Sequence, residues 1–108
     1  MIILHITDPR TWKTALEVGE YAGDTLKSDG FIHCCLPEQT EQVLKDWFSG
    51  VTNLLVVEID TDRLISKLVL ENLEGQDEKF PHIYGPINLD AVINVRQADL
   101  KKQEGSMK

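Results

Sequence analysis

The sequence predicts a single compact α+β domain. Its 108 residues leave little room for a second core. An apolar share of 42% is enough to fill an ordinary packed interior. Helical patterns gather in the first half and strand patterns in the second, without the regular βαβ alternation of a doubly wound sheet. The domain is expected over residues 1–100, followed by a polar tail at 101–108 that frays.

Ile2 to Ile6 is a short apolar run, suited to a buried first strand. Asp8 is a good N-cap, and Pro9 suits the first helical position, where a missing N–H costs nothing. Trp12, Ala15 and Leu16 then share one helix face, and Gly19 is a left-handed stop. Glu20 to Gly30 reads as a loop of mixed polarity, with a short strand near Tyr21. Phe31 to Cys34 reads as a strand that ends abruptly. Pro37 opens the second main helix, whose apolar stripe is Val43, Leu44, Trp47 and Phe48. Gly50 ends it. Leu54 to Ile59 opens with four consecutive apolar residues, which predicts a central strand covered on both faces. Asp60 caps a short helical turn through Leu64. Val69 to Leu73 is a weaker strand, Glu74 to Lys79 an exposed loop, and Ala91 to Val95 the last strand.

The net charge is −7, from 18 acidic and 11 basic residues. A protein that binds bulk nucleic acid carries a basic footprint to displace phosphate counterions, and none is visible. The same charge disfavours an anionic membrane face. No apolar run approaches the roughly 20 residues of a membrane span. The first residues lack the basic region and cleavage site of a signal peptide. Cys34 and Cys35 are neighbours, which makes a bridge between them geometrically poor. Two reduced thiols without export signals predict a cytoplasmic protein.

Chemistry is expected around three histidines: His5 in ILHIT, His33 in GFIHCC and His82 in FPHIYGP. Imidazole titrates near physiological pH, and each ring ends a strand-like segment, so the three are expected to meet in one cleft. Beside His33 a strand gives way to a helix, whose first N–H groups attract anions. His33, Cys34 and Cys35 sit at that junction, although the cysteines also pack well as small hydrophobes. Around His82, Pro81 and Pro86 fix the backbone and Gly85 permits close approach, giving a rigid segment or locked turn. Tyr84 on that segment is suited to stacking on a flat ring. Thr7 and Asp8 add polar groups to the end of the first strand. Glu58 and Glu71 are the carboxylates available for acid–base work, with a solvated face as the ordinary alternative. No metal is expected: three histidines suit a catalytic zinc, but the close spacing of HxH or HxxxH is missing. Phosphate-binding and nucleophile-elbow motifs are absent as well.

Four segments in order resemble a mostly bacterial family of unknown function, the domain-of-unknown-function 952 family. They are His5-Ile6-Thr7, Gly30 to Cys35, Leu54 to Asp60, and Phe80 to Ile87, within a match from Ile3 to about Arg96. By fold that family is grouped with ADP-ribosyltransferase-like proteins. The resemblance therefore implies a bent, split, antiparallel or mixed sheet with two main helices, and a nucleotide-like ligand. NAD would enter as a substrate rather than a resident cofactor. His5 would contact its ribose, Tyr84 or Tyr21 would stack on nicotinamide, and His33 and His82 would hold phosphate or ribose. Glu71 matches an acidic position of the family and is a candidate for the glutamate that orients the ribose. The implied site is thus His5, His33, His82 and Glu71 for catalysis, with Thr7, Tyr21, Cys34, Cys35, Tyr84 and Gly85 binding ligand. The implied activity is an ADP-ribosyltransferase-like transfer. The alternatives are a non-catalytic nucleotide-binding module and a metal-dependent hydrolase using the three histidines. The chain departs from the family at Cys35 and Leu36, where Ser and Thr are usual, so Leu36 cannot cap the following helix.

Overall fold

Side chains from two antiparallel three-stranded sheets meet in one core. The computed structural model describes residues 1–72 and 78–98. In the first sheet β1 (Ile2–Thr7) and β8 (Val92–Gln97) flank β4 (Leu55–Asp60), the central strand that its apolar run predicts. In the second, β3 (Ile32–His33) and β5 (Lys67–Glu71) flank β6 (Phe80–Tyr84). A two-stranded ribbon pairs β2 (Glu20–Tyr21) with β7 (Ile87–Asn88). Every one of these pairings is antiparallel. A single bridge joins the two larger sheets: Leu4 and Cys35 exchange both backbone bonds at 2.8 Å. The architecture is α+β, as expected.

Strand alternation sorts the core. Ile3, Val57 and Ile59 from the first sheet meet Ile32, Cys34 and Ile83 from the second. The opposite face of the first sheet carries Leu4, Ile6 and Val56, packed with Cys35, Leu44 and Leu54. Two adjacent cysteines therefore serve two different clusters, because neighbours on extended backbone point opposite ways.

Helix α1 (Pro9–Val18) starts as its sequence dictates. Asp8 accepts the Thr11 N–H at 2.8 Å, and Gly19 closes the helix in the left-handed region at φ 101°. Ala15 is buried and Trp12 packs on the core, but Leu16 is 57% exposed, against expectation. A ten-residue helix turns a narrow stripe inward, and Leu16 falls just outside it. A second helix, α2 (Thr25–Asp29), occupies part of the expected loop. It is five residues long and buries no side chain, so it leaves no apolar period to read.

Helix α3 (Thr40–Phe48) follows a 3-10 turn at Pro37–Gln39. Leu36 offers no acceptor at its start; instead Gln39 Oε1 accepts the Leu36 N–H at 2.9 Å. The same amide donates from Nε2 to the Lys79 carbonyl at 2.9 Å and to Glu78 at 3.3 Å. Of the α3 stripe, Leu44 is buried, while Trp47 is 56% exposed. Past Asp60 the chain makes a turn with bonds Arg63 N–H to Asp60 and Leu64 N–H to Thr61, rather than a helix.

The Pro81 segment is a strand at the centre of its sheet and not a locked turn. Its proline is tolerated because β3 stops at His33; only the Pro81 carbonyl is used there, by Cys34 N–H at 3.0 Å. The expected strand Val69 to Leu73 is shifted to Lys67–Glu71, and Leu73 lies outside the described residues, as does most of the expected loop after it. The last strand begins after a 3-10 turn at Leu89–Ala91. The tail 101–108 also lies outside the described residues. Among the described residues no helix is long and apolar enough to cross a membrane.

Candidate functional site

A cavity of about 390 Å³ is lined by β1, the β3 segment, β6 and α3. His5, His33 and His82 all line it, together with Thr7, Tyr21, Cys34 and Cys35. Its other wall is apolar, with Ile6, Val43, Trp47, Phe48, Leu54 and Phe80. Asp8 and Asp24 contribute the carboxylates, and no Lys or Arg is among the described lining residues.

His5 projects from β1 and is bonded at both nitrogens. Nδ1 lies 2.6 Å from the His33 carbonyl, and Nε2 lies 2.7 Å from the Tyr21 hydroxyl. A carbonyl only accepts, so Nδ1 carries the proton. Nε2 of the neutral ring must then accept from Tyr21. Tyr21 and Thr7 hydroxyls are 3.0 Å apart, so Thr7 donates to Tyr21 and completes a one-way chain ending on the His33 carbonyl. Burial holds the ring neutral: it lowers the His5 pKa from 6.5 to about 4, outweighing the opposing carbonyl bond. Burial likewise pushes the Tyr21 phenol up to about 12, against the Thr7 bond. The ring edge of His5 meets Tyr21 with centroids 4.9 Å apart.

His33 and His82 face each other across the β3–β6 pair, with ring centroids 5.5 Å apart. His82 is 2% exposed and stacks on Phe31 at 4.2 Å. Its Nδ1 lies 2.9 Å from Glu71 Oε2. The same carboxylate oxygen accepts from the Tyr84 hydroxyl. These two bonds, Tyr84's the larger, hold the Glu71 carboxyl below the usual carboxylate range. The bond to Glu71 correspondingly raises the Tyr84 phenol. Register explains the cluster: Val69 opposes His82, so Glu71 lies one diagonal step along the same sheet face. Nε2 of His82 bonds no group among the described residues. His33 is half exposed and pairs through Nε2 with Asp29 Oδ2 at 3.0 Å, at the end of α2.

The cysteines are neutral thiols. Burial raises both, Cys34 well above the ordinary value, and Cys35 Sγ approaches Thr40 Oγ1 at 3.7 Å. Neither has the electropositive surroundings of a nucleophile. Tyr84 and Gly85 lie outside the cavity wall. Tyr84 serves Glu71, and Gly85 is needed because a Cβ there would sit 2.5 Å from Ser66 Oγ. Among the described residues no cluster of three His, Cys, Asp or Glu side chains could hold a metal ion. Both nitrogens of His5 are occupied, which removes it from any such set.

Three residues, and the pairing of two that the sequence did single out, were not foreseen for the site. The Glu71–His82 pairing depends on register across two strands 11 residues apart. Phe31 supplies the stacking partner of His82, Trp47 part of the apolar wall, and Asp24 a carboxylate on the rim. The i, i+2 spacing of Phe31 and His33 on a strand was the available signal for Phe31.

Residues 6–95 match the model of a family described as protein of unknown function, DUF952. The chain belongs to this family. The curated proteins contain no match to it. A crystal structure of CC0527 from Caulobacter crescentus is similar at 30% identity and a TM-score of 0.82, over 93% of this chain and 88% of that one. The solution NMR structure of CC0527 is similar at 28% identity and a TM-score of 0.78, over 99% and 96%. Two solved structures thus share this DUF952 chain's fold over nearly its full described length. Of the cluster, His33, Glu71 and His82 lie within residues 6–95 of the family match, and His5 stands one residue before it.

Proposed function

We propose that the cavity binds a small uncharged or cationic molecule and that His82 exchanges a proton with it through Nε2. One observation carries this reading: a buried imidazole oriented at Nδ1 by a carboxylate, with Nε2 bonded to no described protein group. A carboxylate accepts only, so it fixes the Nδ1–H tautomer and leaves the Nε2 lone pair as a base. Once Nε2 takes a proton, Glu71 stabilises the resulting cation. The Phe31 stack and the Tyr84 bond restrain the ring and the carboxylate respectively. His5 is a positioning residue: it ties β1 to the His33 carbonyl and so sets the spacing of the wall that bears the His33 and His82 rings. Asp8 and Asp24, with no Lys or Arg among the described lining residues, disfavour an anion.

The test is a thermal-shift panel of neutral, cationic and anionic fragments, followed by 15N spectra of the histidine rings. Neutral or cationic hits should move the His82 Nε2 resonance and leave both His5 nitrogens in place. Hits confined to anions, or a silent His82, would defeat the proposal.

A second reading is the nucleotide-like transfer that the resemblance implies. The opening between two bridged sheets and the His5–Tyr21 pair on its wall favour it. Glu71 would have to leave His82 to orient a ribose, and a pyrophosphate would meet acidic rather than basic lining. Under this reading NAD and ADP-ribose bind more tightly than uncharged nucleosides, and nicotinamide is released. The first reading expects the reverse order of affinity.

A further inference from the structure

Inside the cavity the free edge of β1 is paired at Leu4 and, among the described residues, unpaired at Ile6. Leu4 turns its N–H and C=O toward Cys35, away from β4. Antiparallel pairs alternate, so Ile6, two residues on, turns its own N–H and C=O toward the same side. The β3 segment has departed by then, since its bridge to β1 is confined to Leu4 and Cys35. Among the described residues nothing bonds either backbone group of Ile6. Yet Ile6 is only 9% exposed and lines the cavity. A buried backbone donor and acceptor without partners is rare in folded proteins. Here the pair sits in a cleft, where a ligand can complete it.

Two further features define that ligand. Asp24 lines the same cavity, and its carboxylate makes no hydrogen bond or ion pair among the described residues. Val43, Trp47 and Phe48 give the same cavity an apolar wall, with Trp47 largely exposed. A strand edge recognises extended backbone by exchanging N–H and C=O bonds with one residue of the partner.

We propose that the cavity takes the free N-terminus of an extended peptide. The second residue of that peptide pairs with Ile6, its α-ammonium group faces Asp24, and an apolar first side chain packs on the Trp47 wall. This names the ligand class of the site proposed above and rests on that site, but not on proton transfer at His82.

The experiment uses phenylalanyl-alanine amide, its N-acetyl form, and an ester analogue in which oxygen replaces the second residue's N–H. Binding is followed by 1H–15N spectra of the intact protein. The dipeptide amide should shift the Ile6 amide resonance. The ester should bind about tenfold more weakly, as expected for one lost hydrogen bond with its partner left buried. Acetylation should weaken binding, and Asp24→Asn should weaken the free-amine peptide but not the acetylated one. Equal affinity for ester and amide, an Ile6 amide that does not move, or no binding by the dipeptide amide would overturn the proposal. Dipeptide binding that shifts the Ile6 amide while the His82 Nε2 resonance stays in place supports this inference and removes the proton-transfer reading.

Discussion

His5 and His82 are both buried, both line one cavity and both bond a neighbour through Nδ1, yet their ring nitrogens are committed differently. The Nδ1 of His5 meets a carbonyl and its Nε2 a hydroxyl, so every proton position is assigned and none is available. The Nδ1 of His82 meets a carboxylate and its Nε2 is left over. The lesson is that burial does not separate a structural from a chemical histidine. The chemistry of the partner at each nitrogen does.

The largest expected effect comes from removing the saturated member. His5→Ala strands the Tyr21 hydroxyl and the His33 carbonyl and opens a cavity, at a cost of about 3 kcal/mol in a denaturant titration. A loss below about 1 kcal/mol would show that the relay is incidental.

The same residue predicts a pH dependence of similar size. The folded-state pKa of His5 lies below the unfolded one, so the unfolded chain binds the extra proton between about pH 6.5 and 4. Stability therefore falls as pH drops through that window, by up to about 3 kcal/mol at the 1.36 kcal/mol per unit of linkage. Denaturant titrations at pH 7, 5.5 and 4.5 on wild type and His5→Gln isolate the effect. Parallel curves for the two proteins would assign the dependence to the carboxylates.

His82→Gln should reverse the pattern. Its stability loss is about 1 kcal/mol, because a polar side chain of similar length still reaches Glu71, while proton exchange with ligand falls by about 10²-fold or more. Comparable losses from His5→Gln and His82→Gln would erase the distinction between them.

Glu71→Gln should leave stability almost unchanged but release the tautomer of His82, seen as a change in its ring 15N shifts with His5 unaffected. Asp29→Asn should do least. The His33–Asp29 pair is exposed, and such pairs contribute little, so the melting temperature should be unchanged. A marked drop would mean that α2 braces the His33 wall.

The parts of the fold legible in the sequence are those governed by local period or cap. The run at Leu54 to Val57 marked a central strand, and Asp8 and Pro9 marked the start of α1. The segment around Pro81 misled because a proline argues against a central strand until the neighbouring strand is known to be two residues long. Helix α2 was hidden because it buries nothing. The meeting of three histidines was legible as a question of spacing along strands. The roles within it were not, since they depend on which atom of Glu71, Tyr21 or His33 arrives at each ring nitrogen, and register across sheets decides that.

Gln39 has one more effect. Its side chain links the start of α3 to Lys79, just before the strand that bears His82. The helix that supplies Trp47 and Phe48 is therefore pinned to the base of the catalytic candidate's strand. A molecule wedging against that helix would pull on the same tether, so occupancy of the greasy side would be felt at the ring across the gap.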